Sequence, residues 1–172
     1  KFGTKVFKVS INAGFTCPNI DGSISYGGCA YCSKDGSGDF AGNPRDNLVK
    51  QFKDIKEMME KKWPQAKYIG YFQAFTNTYA PLEVLKDKYE TILDQDGVVG
   101  LSISTRPDCI DDDILDYLAE LNTRTNLWVE LGLQTVHDQT SNIINRGHGL
   151  DVFVDCVNRL RSREIEVVAH VI

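Results

Sequence analysis

Strand-length apolar stretches alternate with helix-length amphipathic stretches along most of the chain, and this alternation constrains the fold more than any other feature. Val6 to Ile11 reads as a first strand. Arg45 to Lys62 reads as a helix, with Leu48, Phe52, Ile55, Met58 and Met59 recurring at three- and four-residue steps and Pro64 past its end. Tyr68 to Gln73 is the second strand, and Pro81 to Leu93 the second helix with proline in its first turn. Val98 to Ser104 is the third strand. Asp111, Asp112 and Asp113 then place acidic groups where the dipole of a helix over Ile114 to Leu121 favours them. Leu127 to Leu133 is the fourth strand, Asp138 to Ile144 and Leu150 to Ser162 are helical, and Ile165 to Ile172 is the fifth strand. Helices of this length between strands serve as crossovers, so the sheet is expected to be parallel. Periodicity leaves two α/β architectures open: a fragment of a (β/α) barrel, or a doubly wound sheet.

The 172 residues suffice for one domain but fall short of the roughly 250 of a complete eight-stranded barrel. At 42% hydrophobic and 25% charged the composition is globular, and no apolar run reaches the roughly 18 residues of a membrane helix. No membrane partner is expected. Lys1 to Ser10 alternates like a strand and not like a signal peptide. A net charge of −5 argues against a dedicated, strongly basic nucleic-acid module. The odd cysteine count (Cys17, Cys29, Cys32, Cys109, Cys156), with a tight Cys29-x-x-Cys32 pair, fits a metal or redox site in a reducing cytoplasm better than a disulfide framework. Glu164 to Ile172 reads as a buried strand with no turn after it, so residues 1–172 are expected to be one domain truncated at both ends.

In parallel α/β folds the loops leaving the C-terminal ends of the strands form the active-site face. Every such loop here carries unusual polar content. The glycine-rich segment Asn12 to Pro44 holds Cys17, Cys29 and Cys32. Gln73 to Thr78 follows strand two, Ser104 to Cys109 follows strand three, and strand four carries Glu130 and runs into Gln134 and Thr135. Three thiolates can hold corners of a metal site. From spacing alone, structural zinc with a fourth ligand, an iron–sulfur cluster with one open iron, and coincidental free thiols all remain open.

The motif Cys17-x11-Cys29-Ala-Tyr-Cys32 on the first strand-to-helix loop resembles the radical S-adenosylmethionine (SAM) superfamily. Its widened first gap is similar to the Elongator catalytic-subunit-like branch. Thr16-Cys-Pro-Asn-Ile-Asp-Gly22, Gly27-Gly-Cys-Ala-Tyr-Cys32, Tyr68 to Tyr79, Val129-Glu-Leu-Gly-Leu-Gln-Thr135 and Asn145-Arg-Gly-His148 resemble a YhcC/YtqA-type bacterial group within that branch. The likeness covers nearly the whole chain. It implies an incomplete parallel barrel with about five of six βα units, a [4Fe-4S] cluster on Cys17, Cys29 and Cys32, and SAM on the fourth iron. It places Tyr31 beside the adenine, and Ala74 and Phe75 at a turn whose backbone faces the SAM amino group. Ser104 and Gln134 would stand near the ribose, Arg146 would pair with the SAM carboxylate, and His170 would contact ribose or adenine. The implied activity is reductive cleavage of SAM to a 5′-deoxyadenosyl radical, supplied with electrons by a reductant protein such as flavodoxin or ferredoxin. A tRNA wobble uridine is the substrate of the Elongator-like relatives. A small-molecule substrate and a zinc-stabilised, non-catalytic binding module are the alternatives.

Other residues have plainer readings. Glu130 is weighed equally as a structural ion-pair partner and a functional group, and Arg106 as a loop cap. Cys109 and Cys156 read as small buried hydrophobes. His137 is expected to begin a helix, and His148 to sit in a turn between Gly147 and Gly149. The helix from Lys50 to Lys62 mixes both charge signs and reads as a solvated face.

Overall fold

A computed structural model describes residues 2–172; Lys1, taken above as the start of the first alternating stretch, lies outside the described residues. Five strands, β1 (Val6–Ile11), β2 (Lys67–Phe72), β3 (Val98–Thr105), β4 (Asn126–Gln134) and β5 (Glu166–Val171), form one sheet in the order β1-β2-β3-β4-β5. Every pairing is parallel. Helices α1 (Leu48–Glu60), α2 (Leu82–Leu93), α3 (Asp112–Arg124), α4 (Asp138–Ile143) and α5 (Leu150–Ser162) lie between them in sequence. Right-handed crossovers between neighbours taken in unbroken order place the connecting helices on one side of the sheet. The doubly wound alternative, which needs a reversal of strand order, is therefore excluded, and the sheet is an open part of a parallel barrel.

The element boundaries follow local chemistry. Helix α1 starts at Leu48, three residues later than the periodicity suggests, because Asn47 caps it: the Asn47 side chain accepts from the Lys50 N–H at 2.8 Å. Asp111 likewise caps α3 by accepting from Ile114 N–H at 2.9 Å. His137 is the N-cap residue of α4. A short 3-10 turn over Pro107–Cys109, absent from the sequence reading, follows β3.

Period-two alternation splits the sheet into two chemically different faces. Val9, Ile11, Tyr68, Phe72, Leu101, Ile103, Leu127, Val129 and Leu131 are buried in one core with Phe52, Leu85, Tyr89, Ile92, Leu118, Leu121 and Leu160 of the helices. Phe72 and Tyr89 meet edge-to-face with ring centroids 4.9 Å apart. The intervening positions carry Lys8, Tyr71, Ser102, Ser104, Glu130, Gln134 and His170, a polar inner face. Cross-strand register aligns them, with Tyr71 beside Ser102, Ser104 beside Glu130 and Gly132 beside His170.

Strand β5 departs from expectation. It was expected to be buried, yet Val168 and Val171 are exposed and only Val167 on the strand is partly buried. Among the described residues β5 pairs with β4 alone, so one of its edges has no strand neighbour.

Candidate active site

The loop leaving β1 brings its three cysteines to one cavity at the C-terminal ends of the strands. Cys17, Cys29 and Cys32 line it, together with Tyr31, Phe75, Ser104, Arg106, Glu130, Gln134, His148 and His170. The loop is not irregular. Turns are closed by Ile20 N–H donating to Cys17 C=O at 2.8 Å and Cys32 N–H to Cys29 C=O at 3.0 Å. Gln51 of α1 anchors the loop's start, donating to Asn12 C=O at 2.9 Å and accepting from Asn12 N–H at 3.0 Å. The segment between α4 and α5 anchors its middle. Ala30 N–H donates to Ile144 C=O at 2.9 Å, and the Asn145 amide donates to Gly28 C=O at 2.9 Å and Ser25 Oγ at 3.0 Å.

Fully buried Asn19 joins the two segments. Its Nδ2 lies 2.6 Å from Asn145 C=O, 3.0 Å from Arg146 C=O and 3.2 Å from Cys29 Sγ. Its Oδ1 is buried without a hydrogen-bond partner and lies where a side chain on residue 147 would begin: a Cβ there would stand 2.8 Å from it. Gly147 also has φ +82°, so this position needs glycine for both backbone and space.

Cys29 is the thiol of the pair best disposed to ionise. Its hydrogen bond with Cys32 acts most strongly and burial opposes it; with the bonds from Tyr31 and Asn19 and the nearby Arg106 charge, the net effect pulls Cys29 down to about 6. Cys32, sharing that bond as the protonated partner and itself desolvated, is pushed up. Burial pushes Cys109 up to about 12 and Cys156 up to about 11, as suits inert thiols. Neither lines the cavity.

Two of the residues that sequence resemblance put near SAM are not in the cavity wall. Ala74 is fully buried beneath the cysteine loop, against the position of Gly38. Arg146 is 1% exposed, and its guanidinium donates to backbone carbonyls only: Nη1 to Thr135 at 2.8 Å, Nε and Nη2 to His148 at 3.1 and 2.9 Å. The fork expected to grip a carboxylate is spent on closing the loop after β4, through carbonyls and not through Glu130 or Asp138. The arginine that does reach the cavity is Arg106. It is gripped by Asp108 through Nε at 2.9 Å and Nη2 at 2.7 Å, and Nη1 donates to Arg146 C=O at 2.7 Å. Burial opposes its charge, and Asp108 more than offsets that. His148, expected in a turn, is a cavity residue, and burial pushes it down to about 4, leaving it neutral.

Backbone strain marks the cavity rim. Phe75 (φ 64°) and Gln134 (φ 62°) both adopt the left-handed conformation, which costs a non-glycine residue roughly 1–2 kcal/mol. Phe75 N–H donates to Gly36 C=O at 2.9 Å, so the turn after β2 is tied to the cysteine loop. Gln134 sits at a register shift between β4 and β5, with its side chain folded over Gly132, where a Cβ would lie 2.9 Å from Nε2.

Below the cysteines the polar inner face closes into one network. Glu130, 3% exposed, accepts from Lys8 Nζ and Ser102 Oγ and is bonded to His170 Nε2 at 2.7 Å. Burial pushes this carboxyl up, but the bonds from His170, Lys8 and Ser102 outweigh it and hold it at about 2. Lys8 Nζ lies 4.3 Å from the centroid of the Tyr71 ring, and Ser104 Oγ donates to Tyr71 Oη at 3.0 Å. Sequence reading weighed Glu130 and His170 but passed over Lys8, Tyr71 and Ser102. Their signal was present as polar groups at the period-two positions opposite the apolar ones.

Among the described residues no three His, Cys, Asp or Glu side chains converge as ligands of one metal ion. Cys17, Cys29 and Cys32, thiols of the kind that hold iron–sulfur clusters, all line one cavity wall. The sequence profile of the Radical SAM superfamily matches residues 24–172. The chain belongs to this superfamily. It is 60% identical over 171 residues to the uncharacterized protein YtqA of Bacillus subtilis strain 168, covering 99% of this chain and 53% of that one. It is 38% identical over 173 residues to the protein YhcC of Escherichia coli strain K12, covering 100% of this chain and 55% of the relative. An uncharacterized protein of Methanocaldococcus jannaschii is 38% identical over 176 residues, with 53% of its length covered. The chain thus spans about half the length of the curated relatives it matches. Cys17 precedes the profile match and Cys29 and Cys32 fall within it, yet all three line one cavity. Among the described residues no helix is long and apolar enough to cross a membrane.

Proposed function

We propose that this chain is the cofactor-binding part of a radical SAM enzyme, with a [4Fe-4S] cluster held by Cys17, Cys29 and Cys32 and SAM bound in the cavity beside it. The observation that carries this reading is the convergence of those three cysteines with Tyr31, Ser104, Gln134 and His170 on one cavity at the C-terminal ends of parallel strands. When bound, cluster and SAM together supply one-electron cleavage of the sulfonium to methionine and a 5′-deoxyadenosyl radical, which abstracts hydrogen from a substrate.

The chain's own share is binding, orientation and shielding. Tyr31 offers an aromatic face for the adenine. Gln134, raised over Gly132 by its left-handed backbone, and Ser104, fixed by Tyr71, offer neutral hydrogen-bonding groups for the ribose. Arg106, held by Asp108, is the arginine in the wall of this cavity and lowers the charge cost of an anion beside Cys29. The Glu130 network fills the floor with fixed dipoles and leaves its carboxylate ionised.

The Elongator-like resemblance makes tRNA wobble uridine the first substrate class to test, and a flavodoxin or ferredoxin the reductant of a cytoplasmic enzyme. The decisive experiment is anaerobic reconstitution followed by dithionite and SAM, with 5′-deoxyadenosine measured by mass spectrometry. Iron and sulfide near four per chain with 5′-deoxyadenosine formed support the reading. A tightly bound zinc and no cluster overturn it in favour of a binding module.

A further inference from the structure

We infer that Asn19 is a positioning residue for one corner of the cluster: its side-chain amide donates to the Cys29 sulfur, raises the cluster's reduction potential, and couples that corner to the segment between α4 and α5. The inference rests on the radical SAM reading and concerns a residue which that reading does not use.

The direction of the amide is fixed by its surroundings. Two backbone carbonyls, Asn145 at 2.6 Å and Arg146 at 3.0 Å, face the same Asn19 atom that faces Cys29 Sγ at 3.2 Å. Reversing the amide would turn Oδ1 onto two carbonyl oxygens and a thiolate, all of them acceptors. The nitrogen therefore points at the sulfur, and its two hydrogens serve three acceptors. Asn19 is fully buried and Cys29 is 7% exposed, so no water competes for the bond. The cysteines are not equivalent in this respect. Cys32 has a serine hydroxyl, Ser37 Oγ, at 3.5 Å on its more exposed side. Among the described residues, Cys29 is the cysteine that receives a buried side-chain amide.

A hydrogen bond to a ligating sulfur draws charge from it, and this is one of the ways in which a protein sets a cluster's potential. The added electron of the reduced cluster is stabilised more than the oxidised form, so removing the donor lowers the potential. The Asn145 and Arg146 carbonyls hold the amide in place. Arg106 supports the Arg146 carbonyl from the other side at 2.7 Å, so the aim of the amide depends on a loop some 125 residues further along the chain.

The test is a mediated redox titration of the anaerobically reconstituted protein, followed by electron paramagnetic resonance, on the wild type, Asn19→Ala and Asn145→Ala. Asn145→Ala removes side-chain bonds to Ser25 and Gly28 but keeps both backbone carbonyls that hold the Asn19 amide, and touches no sulfur. Asn19→Ala is expected to keep its iron and sulfide and to shift the one-electron equilibrium about tenfold toward the oxidised cluster, roughly 59 mV downward. Asn145→Ala is expected to stay within about twofold of wild type. Equal potentials in wild type and a loaded Asn19→Ala, or equal shifts in both variants, overturn the inference and leave the radical SAM reading intact. Should Asn19→Ala lose its cluster, electron–nuclear double resonance on reduced wild type carrying 15N-labelled asparagine amides decides. A nitrogen coupling supports the bond, and none overturns it. A wild type that binds no cluster overturns the radical SAM reading itself.

Discussion

Arg106 Nη1 donates to the backbone carbonyl of Arg146 at 2.7 Å, so two arginines far apart in sequence form one tier of a scaffold. Arg106 lines the cavity that the cysteines share, its nitrogens held by Asp108 and the Arg146 carbonyl. Arg146 points its own into the carbonyls of Thr135 and His148 and offers only its C=O to the site.

Arg146 should therefore act on stability before it acts on cofactor affinity. Arg146→Lys keeps the charge but cannot satisfy three donor positions. It is expected to cost about 2–4 kcal/mol, which for a chain of this size is a fall in Tm of roughly 5–15 °C. Circular dichroism melting of the apo protein checks this. An unchanged Tm with weakened SAM binding would return Arg146 to the cofactor.

Gln134 separates stability from affinity. Gln134→Gly removes the strain at φ 62° and the side chain together. Stability is expected to hold or rise by up to about 1 kcal/mol, while SAM affinity falls by about 0.5–1.5 kcal/mol, or roughly two- to twelvefold. Calorimetric titration of SAM into the reconstituted variant and its thermal melt give the two readouts.

Cysteine replacement should divide the five thiols cleanly. Cys17→Ala, Cys29→Ala and Cys32→Ala are each expected to abolish cluster assembly, measured as iron and acid-labile sulfide near zero against about four in the parent. Cys109→Ala and Cys156→Ala are expected to retain full loading. Cys156, 2% exposed on α5, should lower Tm instead.

Glu130 should show itself in acid. Its carboxyl is held at about 2 against a usual 4.5. A carboxyl lowered in the folded state contributes stability that is fully present above pH 4.5 and is lost as pH falls toward 2. Glu130→Gln is expected to cost about 1–3 kcal/mol at pH 7, because Lys8 and His170 lose a shared acceptor. It should also flatten the dependence of stability on pH between 4.5 and 2. Urea denaturation across that range compares the two proteins. A parallel loss in both would show that Glu130 does not carry the acid transition.

The sequence by itself determined the parallel sheet, the order of its elements and the cysteine loop. These are written in local periodicity, in the acidic run from Asp111 to Asp113 that opens a helix, and in a motif contained within one segment. The family resemblance also put Tyr31, Phe75, Ser104, Gln134 and His170 around one cofactor, and in the structure all five line one cavity. The tertiary structure alone decided which way the long polar side chains point. Arg146 and Arg106 are alike in charge and reach, and only the direction of the neighbouring carbonyls and of Asp108 separates a loop clasp from a cavity cation. Nothing in the sequence singles out Asn19 within the cysteine motif, and it becomes a donor to Cys29 because residues 145 and 146 arrive to orient its amide. The network of Lys8, Ser102, Glu130 and His170 draws one residue from each of four strands. Hydrogen bonds are directional and short, so partners far apart in sequence are not encoded by spacing, while the hydrophobic pattern that assembles the strands is non-directional and legible from the chain itself.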